Sequence, residues 1–302
     1  MITLANAPVS YGVFGLSRPD LVDLPTGARL LELVREAGYS GVDLGAHGLF
    51  GTGVELVENL AAHDLALAGG WLDFPFAGED ANFSAAYEAA MPVLDDFARV
   101  AEANLGPAPL PTIADSGSAE RKAHPGGAPE LELGAERWAV FVARLETVAR
   151  AVRERGLEPT FHHHASTYVE TPREIERFLS DTTMDLTFDS GHLLLGGGDP
   201  NECYPKWATR INHLHLKDAD VQILRAAQGT DDPVREVWEK KVFVALGEGD
   251  LDIAGLLADI TGSGFDGWLV VEQDVVLLGP ADLDRAIADQ VTNREALRRW
   301  FQ

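Results

Sequence analysis

Cysteine is almost missing from this 302-residue chain. Cys203 is the only one, which excludes an intrachain disulfide and any multi-cysteine zinc site. No apolar run approaches the ~18 residues of a membrane-spanning helix; even the stretch 65–72 soon meets Asp73. Cations are scarce as well, with 24 Lys plus Arg against 48 Asp plus Glu, a formal net charge of -24. A surface of that sign repels phosphate backbones and anionic bilayers, so neither nucleic acid nor membrane is expected as a partner. The opening Met1-Ile-Thr-Leu has no basic segment followed by a long apolar one, so no signal peptide is expected. Together with the lone cysteine, this fits a reduced, cytoplasmic setting.

What is present is enough apolar material for a large core, 46% hydrophobic residues against 24% charged. Short apolar runs alternate with longer amphipathic ones, the pattern of βα units around a parallel sheet. Strands are expected at 2–7, 41–44, 65–71, 110–114, 159–162, 184–189, 211–215 and 268–272. Helices are expected near 26–37, 54–62, 83–103, 136–155 and 281–301. Residues 115–134 carry no clear period and read as an extended loop over one mouth of the barrel, and roughly 219–241 reads as another irregular insertion. Eight strand–helix repeats without a linker make one (β/α)8 TIM barrel over residues 1–302 more economical than two domains.

Six of the nine histidines lie between His162 and His215. Four strand candidates of the C-terminal half each end in a polar, ligand-type residue: His162-His-His164, Asp189, His215 and Glu272. Barrel active sites form at the C-terminal strand ends, so these groups are expected to converge on one mouth. Packing alone would favour apolar residues or small caps there. A His and carboxylate set without thiolate suits Mn²⁺, Co²⁺, Zn²⁺, Fe²⁺ or Mg²⁺, with Mn²⁺ or Co²⁺ preferred. Such an ion serves as a Lewis acid for a carbonyl whose neighbouring carbon loses a proton. His192, three residues past Asp189, is placed to reach a bound hydroxyl. Alternation along 213–217 puts His213, His215 and Lys217 on one face, which is expensive in a dry core and sensible on a polar mouth. Lys217 can equally pair with Asp218 or Glu272. Asp189 as a mere helix cap and Glu170 as a partner of a helix dipole are the bland readings of those two residues.

Several segments resemble the xylose-isomerase-like barrel superfamily of sugar isomerases and epimerases, and within it the inosose dehydratases. They are Asn6-Ala-Pro-Val-Ser-Tyr-Gly12, His162-His-His164, Val169-Glu-Thr171, Asp189-Ser-Gly-His192, His213-Leu-His-Leu-Lys-Asp218, Leu246-Gly-Glu-Gly-Asp250 and Trp268-Leu-Val-Val-Glu-Gln-Asp274. The resemblance implies metal ligands at Asp189, His215 and Glu272. The superfamily's remaining ligand, a glutamate ending the fifth strand, is replaced here by the His triplet. Glu170 is preferred as the fourth ligand, with His162 or His164 as alternatives. The resemblance also implies dehydration of a keto-inositol to a cyclic diketone, with acid–base roles shared among His192, Lys217, His164 and Glu272. His162, Tyr11 and Trp71 are the candidates for contacting this small polyhydroxylated ketone. A ketose or inosose isomerase or epimerase is the alternative, since both reactions begin with the same proton abstraction. A DNA-repair endonuclease of the same barrel type fits the acidic charge poorly, and the intact ligand residues argue against an inactive scaffold. Association into a homo-oligomer is left open by the sequence.

Overall fold

The computed structural model describes residues 1–13 and 15–301. Its strands are β1 (Ile2–Asn6), β2 (Gly41–Val42), β3 (Ala66–Leu67), β4 (Gly69–Phe74), β5 (Leu110–Asp115), β6 (Thr160–His162), β7 (Asp185–Asp189), β8 (Ile211–Leu216), β9 (Asp218–Ala219), β10 (Phe243–Val244) and β11 (Gly267–Val271). Nine of them form one sheet in the order β3-β2-β1-β11-β8-β7-β6-β5-β4, with parallel neighbours. The terminal members of that order, β3 and β4, are separated in the chain by Ala68 alone. The Ala68 N–H donates to the Val42 carbonyl (2.9 Å), and the Ala68 carbonyl accepts from the Leu110 N–H (3.0 Å). One residue thus bridges the two segments into a single staggered strand, and the ring closes as an eight-stranded barrel with helices outside.

Strand alternation decides what fills the barrel and what faces the helices. Leu186, Phe188, Leu214, Leu216, Leu269 and Val271 belong to the large core cluster shared with the helical layer. Phe161 stacks on Phe178 of the helix Pro172–Asp181, with ring centroids 4.2 Å apart. The opposite faces point inward. At one level Trp268 packs with Ala5, Ala7, Ala66, Ala68 and Val270. Gly41 is required there: a Cβ on it would stand 2.5 Å from the Trp268 ring. Elsewhere in the interior Thr160 and Thr187 share a hydrogen bond of 2.8 Å, and His213 is fully buried. The C-terminal strand ends carry His162, Asp189 and His215.

The two segments read as irregular contain defined structure. Residues 115–134 include the short helix Ala119–Lys122 and a 3-10 turn Pro129–Leu131. Residues 219–241 hold the helices Val221–Ala227 and Pro233–Glu239, flanked by β9 and β10, which pair antiparallel. Segments this short carry too little apolar periodicity to be read from sequence. Among the described residues no helix is long and apolar enough to cross a membrane.

Candidate metal centre

Four buried side chains from four neighbouring strand ends meet at the barrel mouth. His162 ends β6, Asp189 ends β7, His215 lies near the end of β8, and Glu272 follows β11; one ligand-type atom from each falls within 4.8 Å of the others. His162 Nε2 is 3.1 Å from His215 Nδ1 and 3.3 Å from Asp189 Oδ2. His215 Nδ1 is 3.1 Å from Glu272 Oε2 and 3.6 Å from Asp189 Oδ2. Two ligands bonded to one cation at ~2.0–2.2 Å, with angles near those of a tetrahedron or octahedron, stand ~2.8–3.6 Å apart. All four separations fall in that range. Two imidazole nitrogens and two carboxylate oxygens gathered within 4.8 Å fit a divalent ion, and the donor set matches the O/N class expected.

The surroundings hold these groups in place. The Asp189 N–H donates to His163 Nε2 (3.2 Å), and Asp189 Oδ1 accepts from the His192 N–H (2.8 Å), capping the helix Ser190–Leu195. Asp189 is therefore both helix cap and member of the cluster. Ser190 Oγ donates to the Lys217 carbonyl (2.7 Å), tying β7 to β8. Asp43, directly after β2, lies 3.7 Å from His215 Nε2 on the far side of that ring. At that distance the carboxylate acts on the ring through its charge, without a hydrogen bond.

Electrostatics follow from this crowding. Burial would lower His215, but the Glu272, Asp189 and Asp43 carboxylates outweigh it and raise the imidazole to about 10. Burial pushes His162 down to about 4, only partly offset by Asp189. Burial opposes ionisation of Asp189 and Glu272, yet both are held below their ordinary range, Asp189 chiefly by Lys217 and Glu272 chiefly by His215. Lys217 is raised well above the usual amine value: burial lowers it, and Asp189, Asp274 and Glu272 overcome that. Burial is the main reason that His164 falls to about 3 and His192 well below its usual value.

The cluster opens into a cavity of about 430 Å³ lined by Asp43, Trp71, His162, His164, His192 and Lys217, among others. Trp71 is 42% exposed and packs edge-on against His162 and His164, with centroids 5.3 and 4.9 Å apart. It forms part of the rim. The cavity's volume lies in the range of small-molecule sites.

A model of the xylose isomerase-like TIM barrel family matches residues 31–293. The chain belongs to the xylose isomerase-like TIM barrel family. It is 32% identical to the rhizopine catabolism protein MocC of Rhizobium meliloti, over 83% of this chain and 75% of that one. It is 26% identical to an inosose dehydratase of Bacillus velezensis, over 92% and 94% of the two chains. The crystal structure of the IolI protein with a bound zinc atom superposes with a TM-score of 0.68, covering 99% of both chains at 14% identity; at that identity the likeness is one of fold.

Not every residue singled out in the sequence reaches the cluster of this family member. Asp189, His215 and Glu272 do, and the fourth place is taken by His162. Glu170, preferred for that place, is turned elsewhere: its Oε2 accepts from Arg121 Nη2 (3.0 Å) and its Oε1 from the Gly126 N–H (2.8 Å). The physical reason is alternation. His162 is the inward residue ending β6, whereas Glu170 follows a long excursion and stands beside the start of the next helix. Tyr11 is buried in the core cluster and lines no part of the cavity. His164, His192 and Lys217 line it together with Trp71. Sequence reasoning passed over Asp43 and Arg121 and gave Asp274, quoted only within a longer segment, no role of its own. Asp43 carried the signal already used elsewhere, a carboxylate just after a strand, and Asp274 stands two residues beyond Glu272.

Proposed function

We propose that this chain is a metal-dependent hydro-lyase that converts a keto-inositol, 2-keto-myo-inositol, into a cyclic diketone and water. The observation that carries this reading is the meeting of His162, Asp189, His215 and Glu272 beside a cavity of about 430 Å³ that three of them line. Near-full-length similarity to an inosose dehydratase supports the choice of substrate. An ion held by these four residues supplies Lewis acidity toward the ketone oxygen.

The chain's own groups then account for the protons. The Nδ1–H of His164 donates to the Ala165 carbonyl (2.8 Å), so Nε2 carries the lone pair. Kept neutral by burial, His164 takes the proton from the carbon beside the ketone. The electron pair left behind forms a carbon–carbon double bond as the β C–O bond breaks. The proton passes to the departing hydroxyl, and water leaves. The remaining enol becomes the second carbonyl, so atoms balance as one substrate giving one diketone and one water. Lys217 Nζ, 3.2 Å from His192 Nε2, holds that imidazole against the wall and supplies a fixed positive charge. Trp71 covers the apolar edge of the ring.

The test is incubation of the purified protein with 2-keto-myo-inositol and Mn²⁺ or Co²⁺, following diketone absorbance and the loss of one water by mass spectrometry. Formation of an isomeric keto-inositol at unchanged mass would replace this reading with an epimerase. His164→Asn is expected to lower kcat by ~10²-fold or more, the usual contribution of such a group, while leaving metal content unchanged.

A further inference from the structure

We infer that Lys217 fills a second cation site, so that the cluster carries one divalent ion plus a built-in ammonium where a second ion would otherwise bind. This rests on reading His162, Asp189, His215 and Glu272 as a metal centre. Lys217 Nζ lies 2.9 Å from Asp274 Oδ1, 3.0 Å from Glu272 Oε2, 3.2 Å from Asp189 Oδ2 and 3.2 Å from His192 Nε2. An ammonium has three N–H groups; three carboxylate oxygens surround it, and an imidazole nitrogen makes a fourth close contact. The shell is that of a cation.

The composition of the shell is also that of a metal site. Three carboxylate oxygens and one imidazole nitrogen are the donor types of the first cluster, and all four side chains are buried. Two of the oxygens, Asp189 Oδ2 and Glu272 Oε2, are the same atoms that face His162 and His215. Each would therefore be shared between an ion held by the first cluster and the ammonium. The other two acceptors, His192 and Asp274, belong with His164 to a separate group whose ligand atoms lie within 4.8 Å of one another. His192 Nε2 faces Nζ at 3.2 Å, while His192 Nδ1 lies 3.4 Å from the Ala165 backbone nitrogen on the other side of the ring. The Phe243 ring, 4.8 Å from Nζ, covers the remaining side.

The carboxylates in contact with Nζ, those of Asp189, Glu272 and Asp274, bring three negative charges, and Asp43 adds a fourth buried carboxylate behind His215. The ammonium supplies one compensating positive charge among them. Removing the amine leaves a surplus negative charge and an opening among four metal-type donors, and buried carboxylates without a partner are strongly unfavourable. Charge and space then both favour a second divalent ion.

The experiment strips the full chain with chelator, reloads it with excess Mn²⁺, and measures bound manganese per chain by plasma mass spectrometry. Electron paramagnetic resonance of the same samples reports whether ions are isolated or coupled. Wild type is expected to saturate at one ion with an uncoupled spectrum. Lys217→Ala is expected to take two, with the spectrum of an exchange-coupled pair. Adding Asp274→Ala to that variant is expected to return it to one, and Lys217→Arg to remain at one. Wild type binding two ions, or Lys217→Ala stopping at one, overturns the inference. Wild type binding none removes the metal centre itself, a failure distinct from the other two. Circular dichroism checks each fold. If Lys217→Ala does not fold, saturation of the wild type at one ion or at two carries the decision.

Discussion

Replacing Arg121 by methionine tests whether Glu170 anchors a loop or serves a metal. Arg121 is completely buried, and its guanidinium spans Glu174 through Nη1 (2.8 Å) and Nη2 (3.0 Å) and reaches Glu170 through Nη2 (3.0 Å). These contacts tie the 115–134 segment to the start of the helix Pro172–Asp181. Glu174 also completes a capping box with Thr171 there. Methionine preserves much of the volume but leaves two buried carboxylates without their cation, a perturbation that costs about 3–5 kcal/mol. For a chain of this size that is a fall in Tm on the order of 6–10 °C. Glu170→Gln is milder. The amide oxygen can still accept from the Gly126 N–H, Glu174 still neutralises Arg121, and the loss is about 1–3 kcal/mol, that of one charge-assisted bond. Urea unfolding followed by circular dichroism gives both values, and bound metal is measured on the same preparations. Both variants are expected to keep the wild-type metal content. Glu170→Gln losing its ion while unfolding at the wild-type midpoint would refute the assignment. A cost below ~1 kcal/mol for Arg121→Met would refute the energetic argument, because no buried ion pair of this kind breaks so cheaply.

Three further outcomes are expected. Asp189→Asn keeps an oxygen for the His192 N–H cap and removes a ligand charge, so metal affinity should fall by more than the ~10–100-fold typical of an outer-shell change. Equilibrium dialysis measures it, and unchanged affinity would remove Asp189 from the ligand set. Gly41→Ala should lose about 1–3 kcal/mol in urea unfolding, since its Cβ would stand 2.5 Å from Trp268 in the barrel interior. Wild-type stability would mean that the indole has room to move. Trp71→Ala should leave stability within ~0.5 kcal/mol because the ring is partly exposed. Loss of an aromatic wall worth about 0.5–1.5 kcal/mol should raise KM roughly 2–10-fold with kcat little changed. An unaltered KM would place the substrate elsewhere in the cavity.

The sequence by itself determined the alternation of short strands and amphipathic helices, and with it the barrel. Period-2 and period-3.6 patterns are local, so the eight strand positions were readable within a few residues. Asp189, His215 and Glu272 were readable for the same reason: each stands at or just beyond the end of its strand, and parallel closure brings such ends together. Only the tertiary structure decided the fourth place. Whether His162 or Glu170 faces the cluster depends on which side of β6 points inward, and on Arg121, which lies some fifty residues from Glu170 in the chain. Distance along the chain hid that ion pair. Asp274 and His192 around Lys217, and Asp43 behind His215, are likewise products of barrel closure, since no local pattern records which residues from separate strands come to share one buried charge.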